Sequence, residues 1–295
     1  MLDFRFLAAT TLLLISLSGF FLNLLVVFRM RREKEGFHKI CVNKAIANIL
    51  IVCAYLIWAV PCSYLNTYYL PSQFNVFFGQ IIGWGPYLMS GPFTQICLAI
   101  NRSVAISYPH WFDRPHRLPF TTLALTGLWI LAILVSLPSM IDGCSFIFYP
   151  EIIAWGAMDS PCSLTLTNIF STSVIIMAII SFSINISTTF KILKLTLRTG
   201  SALGEEMSAA RSKRRRRMFV QCIIQDCTHS MDCFVNNYVS LWYSAQWFQF
   251  LCGAVSGLLI IVLDGLIMSL LHQKPSPSIR SSRVSTTVIT APMTK

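Results

Sequence analysis

The chain has 295 residues, 55% hydrophobic and 12% charged, with a formal net charge of +11. Soluble domains carry about 25% charged residues. At half that share, with a mean hydropathy of +0.63, too little polar side chain remains to cover a water-facing surface. A soluble single domain, a disordered chain and a nucleic-acid-binding module are excluded, and the length suits several membrane spans of roughly 20–24 residues.

Seven apolar runs follow one another at about 6–29, 40–64, 77–101, 120–141, 164–190, 218–241 and 248–271. Each is long enough to cross ~30 Å of hydrocarbon at ~1.5 Å per residue. The first reads as a retained span rather than a signal peptide: Asp3 and Arg5 make no basic leader, and no small-residue cleavage site precedes Arg29. The third is interrupted by Gly79, Gly83, Gly85, Pro86, Gly91 and Pro92, which predicts a kinked, closely packed helix. The sixth carries Asp226, His229 and Asp232 and is the least apolar. Barrel-type alternation and internal repeats are not visible. The expected fold is all-α, a polytopic seven-helix membrane bundle over residues 1–271, followed by a Ser/Thr-rich tail at 272–295.

Charge placement predicts orientation. Of the 23 Lys and Arg, only Arg5 falls on the side of the loops at 65–76, 142–163 and 242–247, which have none. The positive-inside rule then puts the N-terminus outside and the tail in the cytoplasm. On this count Lys44 is one of the inner-side charges, just inside span two. Of the ten cysteines, Cys144 and Cys162 alone share one outer loop. In an oxidising compartment they are expected to form a disulfide, two free thiols being the alternative. That bond would hold a loop with Tyr149, Pro150, Trp155 and Asp159 over the outer mouth.

Polar residues inside a membrane are costly and usually have a partner or a task. Asn23, Asn48 and Asp264 lie at one depth, roughly 10–12 Å from the inner surface at ~1.5 Å per residue. They form either one switchable hydrogen-bonded cluster or separate glue between helices; both predict packing of spans one, two and seven. Cys222, Gln225, His229, Asp232 and Asn236 are spaced 3, 4, 3, 4, which places them on one helical face pointing into the bundle or a wet cavity. A metal site from Asp226, His229, Asp232 and Cys233 is disfavoured because one helix rarely supplies convergent ligands, and a satisfied interior histidine is the expectation for His229. Arg102, after Asn101, is either a snorkelling anchor or a grip on backbone carbonyls or a partner. The run Lys213–Arg217 suits topological retention and attraction to anionic lipid. The sequons at Asn101 and Asn185 fall on the inner side or within a span and should carry no glycan. No nucleophile elbow, zinc-protease motif, phosphate loop or pore ring is present, so neither an enzyme nor a cofactor or metal is expected.

Taken in order, these residues resemble the nematode serpentine chemoreceptors, most closely the class X (Srx) group. The resemblance rests on Gly19-Phe-Phe-Leu-Asn23, on Asn48 with Trp58 and Pro61, on Leu98 to Ile106 followed by Pro109, and on Cys144 and Cys162. Its most specific parts are Phe219-Val-Gln221 through Gln225-Asp226, and Asp264-Gly-Leu-Ile-Met268. It implies a G-protein-coupled receptor that detects environmental chemicals, at the plasma membrane of sensory neurons and their cilia. The chain departs from the large rhodopsin-like class: span six lacks Cys-Trp-x-Pro, span seven lacks Asn-Pro-x-x-Tyr, and Asn101 replaces the acid before the arginine. Restraint of Arg102 by an acid on span six is therefore in doubt, with Asn101 or Asp113 the candidates to replace it. The expected mechanism has a small external ligand entering a cavity between spans three, six and seven, against Trp84, Tyr87, Asp232, Asn236 and Gln249. The inner ends of spans three and six then part, and Asn101 and Arg102, with loops 103–119 and 191–217, engage a heterotrimeric G protein. The tail from Ser276 to Thr294 is a candidate for phosphorylation. The alternatives are a receptor for an internal peptide or small molecule, an amine having to use Asp232 as counter-ion because span three has no acid, and a transporter or channel.

Overall fold

A computed structural model describes residues 4–33, 36–108, 120–199, 220–221, 223–236 and 238–271. Asp113, Pro109, Cys222, the run Lys213–Arg217 and the tail lie outside the described residues. The first helix, α1, is Phe4–Met30. The second column is α2 (Gly36–Ala54), a π-helical turn at Tyr55–Ala59 and α3 (Val60–Leu65). Pro61 has no N–H to give the carbonyl of Ile57, one turn back. The Tyr69 hydroxyl donates to that carbonyl instead, and Asn66 ends the column in the left-handed conformation with φ 54°.

The third column is three helices, α4 (Ser72–Gly83), α5 (Gly85–Ser90) and α6 (Pro92–Ser107). Its breaks fall at Trp84 (φ −129°, ψ −95°) and Gly91 (φ −113°, ψ −98°). Each lies one or two residues before a proline, which cannot donate and disfavours helix in the residue preceding it. The fourth column is α7 (Phe120–Ser136) with a 3-10 turn at Leu137–Met140. The fifth is α8 (Pro161–Thr199), 39 residues, or nearly 60 Å at ~1.5 Å per residue, well beyond the hydrocarbon thickness. The sixth is α9, residues 223–236. The seventh runs through α10 (Gln246–Phe250), a π-helical turn at Leu251–Val255 and α11 (Ser256–Leu271).

Among the described residues, five continuous helical columns are long and apolar enough to cross a membrane: Phe4–Met30, Gly36–Leu65, Phe120–Met140, Pro161–Ile192 and Gln246–Leu270. The third is divided by its breaks. Leu14, Phe21, Phe28, Leu123, Ile130, Ile169, Ile179 and Phe190 are exposed, an apolar mantle that suits lipid tails. Within it, α1 lies against α2 and α11, as the three polar residues at one depth require. Gly265 permits this approach: a Cβ there would stand 2.9 Å from Leu22 Cβ and 3.2 Å from the Asn23 nitrogen.

A short antiparallel hairpin corrects the all-α expectation. Strands β1 (Phe146–Tyr149) and β2 (Ala154–Ala157) pair Phe146 with Ala157 and Tyr149 with Ala154. Phe-Ile-Phe-Tyr is strongly strand-forming, but four residues are too few to register as a pattern. Outside the spans the backbone needs partners of its own, and a ladder supplies them. The Cys144–Cys162 disulfide, Cα atoms 5.0 Å apart, ties the hairpin to the start of α8. The hairpin closes one end of the bundle, called here the hairpin end. The other, the basic end, carries Arg29, Arg31, Arg32 and Lys39.

Docking of the hairpin centres on Asn75. Its Oδ1 accepts from Trp58 Nε1 (2.8 Å) and the Phe148 N–H (2.9 Å), and its Nδ2 donates to the Phe148 carbonyl (3.0 Å). Tyr68 donates to the same carbonyl at 2.9 Å, and burial, reinforced by neighbouring Glu151, pushes its hydroxyl pKa up. A side chain at Gly79 is impossible here, since its Cβ would lie 1.7 Å from the Phe146 carbonyl oxygen.

Candidate functional site

Beneath the hairpin, between columns three, five, six and seven, lies a cavity of about 340 Å³. This is at the small end of the range for organic-ligand sites, ~300–1,000 Å³. Trp84, at the first break of column three, and Tyr87, one turn on, form one wall; Phe170 of α8 packs edge-on to Trp84 with centroids 4.6 Å apart. Trp155 and Phe146 roof it from the hairpin, and Tyr55 reaches it from the π-turn of column two. The indole N–H groups of Trp84 and Trp155 are buried without an acceptor among the described residues. Both rings line the cavity with apolar surface and π-density.

The polar wall is α9. The 3-4-3-4 stripe does turn inward: Gln225 and Asp232 are buried, and His229, Asp232 and Asn236 line the cavity. Asn236 Nδ2 donates to Asp232 Oδ1 at 2.8 Å, and Ser256 Oγ of α11 donates to the same oxygen at 2.9 Å. Gln249 stands elsewhere. Its amide donates to the carbonyls of Ser240 (2.6 Å) and Tyr243 (2.9 Å) and does not line the cavity. The turn before α10 leaves those carbonyls without helical partners, and the Gln249 amide satisfies them.

Below the cavity, toward the basic end, lies a buried polar core. Asn48 Nδ2 donates to Asn23 Oδ1 at 3.0 Å, Ser90 Oγ donates to Asn48 Oδ1, and Asn23 Nδ2 donates to the Ile261 carbonyl at 3.1 Å. Asp264 does not join the two asparagines directly; its bonds run elsewhere. Lys44 Nζ lies 2.9 Å from each of its oxygens, Gln225 Nε2 donates to Oδ1 at 2.9 Å and His229 Nε2 lies 3.0 Å from Oδ2. A carboxylate only accepts, so His229 carries its proton on Nε2 in this arrangement. Lys44 is wholly buried. It is thus no boundary charge, as its place near the start of span two suggested, but half of a buried ion pair. Its long stem lets a residue near a helix end reach the interior, and Asp264 repays the desolvation.

A third cluster involves Asp226, whose Oδ2 accepts from Asn185 and, at 3.4 Å, from Ser181, both on α8. Asp226 also interacts electrostatically with Lys44, Arg102 and His229. Arg102 is buried, its guanidinium over the Phe37 ring 5.9 Å from the centroid. An acid on the sixth column is thus within electrostatic reach of the arginine after all. In the sequence it stands nine residues after the arginine run, where no carboxylate occurs. Asn101 Oδ1 lies against Gly36. His229 stands in both the cavity wall and the ion network, a junction that spacing along the chain could not show.

The architecture is that of a rhodopsin-like helical bundle. Superposition on squid rhodopsin gives a TM-score of 0.69 over 94% of this chain and 83% of that one, at 13% identity; so distant a likeness speaks to the fold alone. In sequence, residues 13–272 match the serpentine type 7TM GPCR chemoreceptor Srx family, and the chain belongs to it. A stretch of 74 residues is 35% identical to the human probable G-protein coupled receptor 152, covering 24% of this chain and 14% of that protein's length.

Proposed function

We propose that the chain is a chemosensory receptor that binds a small external ligand in the cavity under the hairpin and activates a heterotrimeric G protein. The observation that carries this reading is the double role of His229, which lines the cavity and bonds Asp264. A ligand against Trp84, Tyr87, Asp232 and Asn236 presses on α9, and any shift of α9 changes the contacts that His229 and Gln225 make with Asp264. Asn23, Asn48 and Asp264 form the switch, linked through α11, and Asn101 and Arg102 meet the G protein when the basic ends of columns three and six part. To carry the receptor from 1:99 to 99:1, the ligand must favour the open state by about 5.5 kcal/mol.

The hairpin end is taken as the outer face. The disulfide suits an oxidising compartment, and the lysines and arginines gather toward the other end, where membrane lipid and the cytoplasm would meet them. The site of action is the plasma membrane, in sensory-neuron cilia. The test is nucleotide exchange on a heterotrimeric G protein by the receptor in proteoliposomes. Ligand-evoked exchange that Arg102→Ala abolishes supports the reading. Exchange unchanged by Arg102→Ala, or ion flux without exchange, overturns it. A tagged copy confined to non-sensory tissue would move the ligand from the environment to the interior of the animal.

A further inference from the structure

We infer that the cavity takes a small organic cation, an ammonium or quaternary ammonium carried on an apolar group. The inference deepens the receptor reading by naming its ligand class and rests on that reading. Charge comes first. Among the described residues, histidines aside, the buried ionisable side chains of opposite sign are two cations, Lys44 and Arg102, and three carboxylates, Asp226, Asp232 and Asp264. Lys44 is paired with Asp264, and Arg102 acts on Asp226. His229, also on the cavity wall, has its Nε2 engaged by Asp264. Counted as ionised, the three carboxylates outnumber the two fixed cations by one, and Asp232 is the carboxylate with no Lys or Arg bonded to it among the described residues. A buried charge without a counter-charge is strongly unfavourable.

Geometry agrees. Both side-chain hydrogen bonds to Asp232, from Ser256 and Asn236, fall on Oδ1. They hold the carboxyl in place and leave Oδ2 without a hydrogen bond among the described residues, in a side chain that lines the cavity. The rings of Tyr55, Trp84, Tyr87, Trp155 and Phe170 line the same cavity. An aromatic enclosure around a carboxylate is the environment in which an organic cation gains most, since ring faces attract the charge while the rings shed water around its alkyl groups. Among the described residues no lysine or arginine lines this cavity.

The test uses the full-length receptor purified in a maltoside detergent, whose uncharged headgroup does not compete. Three matched pairs are the probes: choline and 3,3-dimethyl-1-butanol, benzyltrimethylammonium and neopentylbenzene, phenethylamine and phenethyl alcohol. Within each pair shape is nearly conserved and charge is not. The expected result is that at least one cation raises the melting temperature at a concentration tenfold or more below its neutral partner, and that Asp232→Asn reduces this preference to within twofold. Neutral partners binding as well as the cations, no cation binding at all, or a preference that survives Asp232→Asn would overturn it. Should Asp232→Asn not yield folded protein, the preference of the unmodified receptor decides alone. Binding is read without G protein, so the two readings fail separately. A cation that binds without provoking nucleotide exchange sinks the receptor reading and leaves this one. A neutral ligand that provokes exchange with Asp232→Asn as well as with the unmodified receptor does the reverse.

Discussion

At the hairpin end, Asn75 bridges Trp58 and Phe148 by three hydrogen bonds, Trp58 stacks with Phe78 at 5.5 Å, and a disulfide ties the strands to α8. At mid-bundle, Lys44, Asp264, Gln225 and His229 hold three helices, α2, α9 and α11, together by charge and charge-assisted bonds. The first arrangement has one good geometry, set by ring shapes, a backbone ladder and a covalent link. The second has several acceptors and donors of similar strength that can exchange partners without leaving any group bare. A cavity wall needs the former, because ligand selection depends on shape. A relay needs the latter, because two arrangements of similar energy are what a ligand can bias.

The sharpest way to break this contrast is to remove one charge from the core. Lys44→Met strips the wholly buried Asp264 of its ion-pair partner, and we expect a loss of about 3–5 kcal/mol, read as a collapse in yield and melting temperature. The double variant Lys44→Met with Asp264→Leu should recover most of that stability and remain silent in nucleotide exchange. A double variant no more stable than the single one would show that the pair is not what holds the region. Next in size, Cys144→Ser should cost about 2–4 kcal/mol in the melting of the whole receptor while leaving basal exchange near its original level. A rise in basal exchange would mean that the hairpin takes part in the switch. Asn75→Leu should cost about 1–3 kcal/mol, because it strands the Phe148 N–H and the Trp58 indole. Hydrogen exchange at residues 146–149 should quicken while the amides of α11 keep their protection. Smallest of all, Gln249→Ala should cost about 1 kcal/mol or less and shift the half-maximal ligand concentration by no more than twofold. A larger shift would place the segment before α10 in the binding site after all.

Much of this molecule is legible along the chain because partition into a bilayer is a property of each residue and its neighbours. Phe4–Met30 and Phe120–Ser136 need no partner to be read as helices in lipid, and the stripe from Gln225 to Asn236 is readable because lipid cannot accept it. The pairing of Cys144 with Cys162 could be read because few sulfurs share that side of the membrane. Other features are invisible one residue at a time. Lys44 and Asp264 are 220 positions apart, and only the packing of α2 against α11 brings ammonium to carboxylate. The hairpin is four residues long on each side and depends on Asn75 for its seat. Gln249 has the chemistry of a ligand contact and lacks the position, its amide being spent on two loop carbonyls.

By itself, then, the sequence determined that this is a multi-pass membrane protein, which segments are apolar enough to cross a bilayer and which polar side chains must turn inward. Tertiary structure alone decided which of those inward groups meet: Asn48 with Asn23, Lys44 and His229 with Asp264, Asp226 with Asn185, Asp232 with Ser256. The reason is physical. The cost of exposing a charge to lipid is set by the residue, whereas the gain that offsets it depends on a distance of about 3 Å across space, and no spacing along one chain records that distance.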